Sequence, residues 1–231
     1  DAAYSLDISS VFTDMDVGDS LSYSISGAPS TITHTSGTIS GTPVNADVGT
    51  HTIVVTATDS SSAAATVTDT YVLTVTNTND APTVASAISD VSGAEDTAYS
   101  LDASGTCTDV DASDSMSYTI SGGPSTITAT TAGTISGTPV NADVGAHTIT
   151  VTCTDGSSAA ATDAYVLTVT NTNDAPTVAS AISDVSAAED AAYSLDISSV
   201  FTDMDVGDSL SYSISGAPST ITHTSGTISG T

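Results

Sequence analysis

The chain has 231 residues, with 27 acidic side chains, no lysine and no arginine, for a formal net charge of -27. Phosphate backbones and anionic membrane surfaces are bound through Lys and Arg, so nucleic acid and such surfaces are excluded as direct partners. Charged residues are only 12% of the chain and hydrophobic residues 39%, which sets it apart from acidic disordered segments.

No apolar run approaches the roughly 18 residues needed to cross a bilayer, and the basic start of a signal peptide is missing. The pattern begins and stops part-way through a repeat, so the chain reads as a window of a longer protein whose targeting signal lies elsewhere. With two Phe and no Trp, Ala, Val, Ile and Tyr must fill the cores, which points to thin, β-rich modules. Two carboxylates about 4 Å apart repel by roughly 4 kcal/mol at an effective dielectric near 20. With no cationic Lys or Arg side chain in the sequence, clustered acids here call for a dissolved cation.

Repetition organises the chain. Residues 1–42 return unchanged as residues 190–231, a diverged copy begins at Asp96, and Tyr4, Tyr99 and Tyr193 stand 95 and 94 residues apart. That period suits a whole β-sandwich rather than a solenoid turn. The expected domains are residues 1–80, a repeat lacking its first strand; 81–174, a complete repeat; and 175–231, the first part of a third.

In chain order, the complete repeat predicts strands over 83–90, 98–103, 115–122, 126–130, 133–137, 147–155 and 163–172, rich in Thr, Val, Ile and Tyr and bounded by turn residues. Short strands without a helical period imply an all-β, antiparallel, two-sheet sandwich. In the last strand Tyr165, Leu167 and Val169 share the face assigned to the core, with Val166 and the threonines opposite. The stretches 137–139 (GTP) and 141–145 (NADVG) read as loops.

Acidic clusters recur in register: Glu95 and Asp96, then Glu189 and Asp190; Asp14, Asp16 and Asp19, then Asp109, Asp111 and Asp114, then Asp203, Asp205 and Asp208; and a strand-end Asp59 or Asp155. The linker VTNTNDAPTV at 75–84 reappears at 169–178. It adds Asn77, Asn79 and Asp80, then Asn171, Asn173 and Asp174. Each side chain offers oxygen ligands and none offers sulfur or nitrogen, the set preferred by hard cations and by Ca2+ above all. Taken singly, Asp and Asn in a turn are ordinary solvated loop residues; the combination, repeated in each copy, favours ligation.

The stretch ITVTCTDGSSAAATDAYVLTVTNTNDAPT at 149–177 resembles the end of a cadherin repeat. With FTDMDVGDSLSYSISG and GTISGTP, the whole period is similar to the dystroglycan-type cadherin-like and Ig-like modules of large microbial surface proteins. The resemblance implies Ca2+ between successive domains. It assigns Asn77, Asn79, Asp80, Asp109, Asp111 and Asp155 to one junction, and Glu95, Asn171, Asn173, Asp174, Asp203 and Asp205 to the next. Asp14, Asp16 and Asp59 are the corresponding ligands of the first repeat. The linkers open on Asn rather than Asp, and GTPVNADVG replaces the mid-repeat acidic motif, so fewer ions or weaker binding are expected, at about 10⁻⁴ to 10⁻³ M or above.

Cys107 and Cys153 replace Phe12 and Ala57 of the first repeat. A large and a small residue both becoming Cys in one copy suggests that the positions touch, as a disulfide or as two reduced buried thiols. A bridge would imply an extracellular setting. His51 and His147 open strands, and His34 becomes Ala129 in the middle copy, which fits edge or surface roles. No nucleophile elbow, Cys–His pairing or phosphate-cradling loop is present in the sequence, so no enzyme is expected.

The leading expectation is a calcium-stiffened segment of an extracellular filament or of a giant cell-surface adhesin stalk. Its partners are calcium, neighbouring repeats of the same chain and laterally associated copies. The alternative is an adhesive module that binds glycan or another cadherin-like domain.

Overall fold

The computed structural model describes residues 2–61, 64–111, 114–205 and 207–231. The first repeat supplies β1 (Tyr4–Asp7), β2 (Leu21–Ser26), β3 (Ile32–Thr35), β4 (Thr38–Gly41), β5 (Gly49–Asp59) and β6 (Thr66–Val75). The middle repeat supplies β7 (Thr83–Val84), β8 (Val91–Ala94), β9 (Tyr99–Asp102), β10 (Cys107–Thr108), β11 (Ser117–Gly122), β12 (Ile127–Ala129), β13 (Thr134–Gly137), β14 (Gly145–Thr154) and β15 (Ala160–Thr170). The third supplies β16 (Thr177–Val178), β17 (Tyr193–Asp196), β18 (Phe201–Thr202), β19 (Ile221–Thr224) and β20 (Thr227–Gly230). Single 3₁₀ turns at Asn45–Asp47 and Asn141–Asp143 are the helical elements among the described residues, and no helix is long and apolar enough to cross a membrane.

Contacts divide the chain into two compact units. One comprises Asp1–Pro82, Asp109–Ser115 and Asp155–Ala159; the other comprises Thr83–Thr108, Met116–Thr154 and Ala160–Thr231. In the first unit the sheets run β1-β4-β3 and β2-β5-β6. Alternation of buried and exposed residues along β5 turns Ile53, Val55 and Ala57 inward, where Val55 and Ala57 join Ile8, Phe12, Ile32 and Ile39 in one core cluster.

In the second unit β11-β14-β15-β8 and β12-β13-β9 close over Tyr118, Ile135, Ile149, Val151, Tyr165, Leu167 and Val169. The inward face expected of β15 is the one observed, with Tyr165, Leu167 and Val169 each at most 1% exposed. The recurring Gly of TISG has a steric cause. A Cβ on Gly41 or Gly137 would stand 1.9 Å from the carbonyl oxygen of Thr31 or Thr126.

Of the strand expected over 83–90 only Thr83–Val84 forms, as β7; a bent segment follows, and β8 begins beyond the expected span. β8 pairs parallel with β15 through Leu167↔Val91 to Thr170↔Ala94, so one edge of the otherwise antiparallel fold is parallel. Asp163 and Asp90 fix this arrangement by accepting bonds from the Ile88 and Val166 backbone N–H groups, at 2.6 and 2.8 Å. β10, too short to show a period, pairs with β7. Cys107 and Cys153 form a disulfide between β10 and β14, with their Cα atoms 6.4 Å apart.

Candidate metal centres

The first centre lies within the first unit, where residues 109–111 and 114 and the 155–159 loop meet the linker. The Asp80 N–H donates to Asp111 Oδ2 at 2.8 Å, and Asn79 Nδ2 donates to Asp155 Oδ2 at 2.9 Å. Inside the loops, the Asp111 N–H reaches Asp109 Oδ1 at 2.9 Å, and the Ser157 and Ala159 N–H groups both reach Asp155 Oδ1 at 2.8 Å. Asp111 and Asp155 are almost completely buried. One carboxylate oxygen from each of Asp109, Asp114 and Asp155 lies within 4.8 Å of the others.

Such crowding is costly for anions. Burial first, and then the charges of Asp111, Asp155 and Asp109, push the Asp114 carboxyl above the ordinary carboxylate range. Asp155 is held below that range, chiefly by the Asn79 amide and further by its backbone N–H donors, against a desolvation cost.

The second centre lies within the second unit and repeats the pattern. The Asp174 N–H donates to Asp205 Oδ2 at 2.8 Å, and the Asp205 N–H donates to Asp203 Oδ1 at 3.0 Å. Asp203, Asp205 and Asp208 form the second group of converging carboxylates. Glu95 is fully buried beside the start of this linker; its Oε1 accepts from the Thr172 N–H at 2.8 Å, and its Oε2 has no partner.

Of the residues expected as ligands, the structure brings together Asn79, Asp80, Asp109, Asp111 and Asp155 at one centre, and Asp174, Asp203 and Asp205 at the other. Asn173 turns its amide back onto the Asp174 carbonyl at 2.8 Å. Asn77 and Asn171 are exposed just beyond β6 and β15, and Asp14 and Asp16 are exposed as well. Asp59 is engaged with the Ser61 hydroxyl and N–H at 2.7 and 3.1 Å.

Two participants were not assigned from sequence. Asn45 Nδ2 donates to Asp80 Oδ2 at 2.9 Å and to Asp111 Oδ1 at 3.3 Å, and Asn141 Nδ2 donates to Asp205 Oδ1 at 3.4 Å. Their sequence signal is the NADVG stretch repeated at one place in two copies, a stretch that reads as a loop. Asp114 and Asp208, the third acids of their clusters and outside the expected ligand sets, both belong to the converging groups. Three of the four histidines bond to backbone carbonyls. His51 and His147 donate through Nε2 to the Asp47 and Asp143 carbonyls at 2.7 and 2.6 Å, and His34 bonds to the Tyr23 carbonyl.

A hard cation fits this donor set. Oδ2 of Asp109, Oδ2 of Asp114 and Oε2 of Glu95 are buried without a hydrogen-bond partner. Orphaned buried oxygens are rare in folded chains, and an oxygen-ligated ion is one group that would satisfy them.

Residues 1–76, 81–170 and 175–231 each match the family described as "Putative Ig domain". The chain belongs to that family. No curated protein matches it. Among solved structures it is similar to mouse cadherin-23 EC22-24, with a TM-score of 0.51 and 17% identity, over 66% of this chain and 53% of that one. It is also similar to protocadherin gamma B2 cadherin domains 3-6, with a TM-score of 0.50 and 16% identity, over 68% of this chain and 43% of that one. An endo-fucoidan hydrolase of glycoside hydrolase family 107 matches at 25% identity but a TM-score of only 0.34, over 67% of this chain and 24% of that one, too distant to carry an argument. The chain thus spans between about a quarter and about half of these solved chains. The likeness establishes tandem Ig- and cadherin-like β-sandwich repeats.

Proposed function

We propose that this Ig-family chain is a structural segment of an extracellular filament or cell-surface adhesin stalk, stiffened by Ca2+ bound where a linker meets the acidic loops of the next repeat. One observation carries the reading: Asp80 and Asn79 of the linker are hydrogen-bonded to the buried Asp111 and Asp155 of the two loops. The same contact recurs from Asp174 to Asp205. Asn79, Asp80, Asp109, Asp111, Asp114 and Asp155, with Asn45, would hold the first ion. Asp174, Asp203, Asp205 and Asp208, with Asn141 and Glu95, would hold the second.

Ligands from a linker and from loops on both sides of it meet only when successive repeats keep one orientation, so bound cation restricts that orientation. An ion that binds only this state stabilises it by RT ln(1 + [L]/Kd), about 1.4 kcal/mol per site at tenfold excess over Kd. The reading makes the chain a load-bearing spacer rather than a catalyst, with calcium and its neighbouring repeats as partners.

The test is small-angle scattering and thermal melting of the 231-residue protein in millimolar Ca2+ and in chelator. Calcium should give a larger maximum dimension and a higher Tm. Identical curves in the two conditions overturn the proposal.

A further inference from the structure

The disulfide and the first centre are neighbours in the chain at both ends of the bond. Thr108 alone separates Cys107 from Asp109, and Thr154 alone separates Cys153 from Asp155. Two residues of chain span at most about 7 Å, so each cysteine sets where its acidic segment starts. The strands that carry the two cysteines are held very differently. β14 is paired through ten residues with β15 and through six with β11. β10 is paired with β7 through Cys107↔Val84 and Thr108↔Thr83, and a ladder of two residues is weak by itself. The bond, closing a separation of 46 positions, fastens the weakly paired strand that leads to Asp109, Asp111 and Asp114 onto the firmly paired strand that leads to Asp155.

That fastening acts against a specific force. One oxygen from each of Asp109, Asp114 and Asp155 lies within 4.8 Å of the others, and like charges at such a distance drive their segments apart. The segment free to yield is the one that follows β10. Both cysteines are buried, Cys153 completely, and both pack in the core of the middle repeat, so the anchor is rigid at each end.

We propose that the Cys107–Cys153 bridge positions the carboxylates of the first centre, so that calcium affinity there depends on the redox state of the bond. The inference rests on the calcium reading given above. A centre whose ligand segments are already tethered loses less freedom when the ion binds. The coupling is reciprocal: if the bond favours calcium, calcium favours the bond by the same factor. Reduction by dithiothreitol opens the S–S bond, each sulfur gaining one electron and one proton, while the reagent closes to its own cyclic disulfide.

The experiment is calcium titration calorimetry on the 231-residue protein in three forms: oxidised, reduced with dithiothreitol, and Cys107→Phe combined with Cys153→Ala, the pair found in the first repeat. Circular dichroism checks that each form is folded. Both bridgeless forms should bind calcium roughly tenfold more weakly at one site, a coupling of ordinary size. In an Asp109→Asn background, which removes a ligand of the first centre, the bridged and bridgeless chains should bind calcium alike. The thiol–disulfide equilibrium against dithiothreitol should move toward the bonded form in saturating calcium, by the same factor as the affinity. A bridge that served stability alone would shift the Tm and move neither quantity. Equal affinity in bridged and bridgeless folded chains overturns the proposal and leaves the calcium reading standing, as does a difference that persists in Asp109→Asn. Absence of calcium binding in every form overturns both.

Discussion

Asp114 shows what crowding does to one carboxyl. Burial and the charges of Asp111, Asp155 and Asp109 raise its pKa in the folded chain, so folding favours its protonated form. Its stabilising contribution is present below the ordinary carboxylate pKa of about 3.9 and is lost as pH rises through the raised value. Asp155 behaves in the opposite sense: its lowered pKa contributes stability above the ordinary value, lost as pH falls. At neutral pH without calcium, Asp114→Asn should therefore melt at a higher temperature than the parent chain, with the gap closing near about pH 3.5. Millimolar calcium should reverse the order, because the variant lacks a charged ligand. Melting curves at the two pH values, with and without chelator, check both signs.

At the scale of elements, the disulfide ties β10, a strand of only two residues, to β14 in the main sheet. Its cysteines stand where the first repeat has Phe12 and Ala57, which lie in one core cluster. The positions therefore share a core with or without the bond. Replacing the pair by Phe and Ala should leave a folded sandwich and lower its stability by up to about 4 kcal/mol, the loop-closure value for a separation of this order. Denaturant unfolding measures the loss. Alkylation should add two labels to the parent chain only after reduction. The pairing was legible because both substitutions fall in the same copy. β8 was not legible, because Val91–Ala94 contains Gly93 and a single Val. What makes it a strand is the edge of β15, a long-range partner that no local pattern records.

For the molecule as a whole, a formal charge of -27 with no Lys or Arg side chain to balance it opposes any compact state. Two kinds of cation relieve this differently. Monovalent salt screens exposed charge over about 8 Å at 0.15 M but reaches buried pairs much less. An ion held among Asp109, Asp114 and Asp155, as proposed, would neutralise converging carboxylates directly. The Tm in chelator should rise gradually with NaCl, and calcium should raise it by more than NaCl at matched ionic strength. Equal shifts would mean that only diffuse screening operates.

The sequence by itself determined the all-β class, the period, the inward face of β15, the proximity of the two cysteines and the oxygen-rich clusters, because each depends on local alternation, on residue chemistry or on comparison of the copies; the bond between the cysteines is seen only in the structure. Tertiary structure decided the rest. Residues 21–26 form β2 because β5 lies alongside them. Asp205 is 5% exposed because the Asp174 N–H of the preceding linker binds it. A strand needs a neighbour to accept its hydrogen bonds, and a carboxylate becomes part of a buried centre only when a distant segment closes over it.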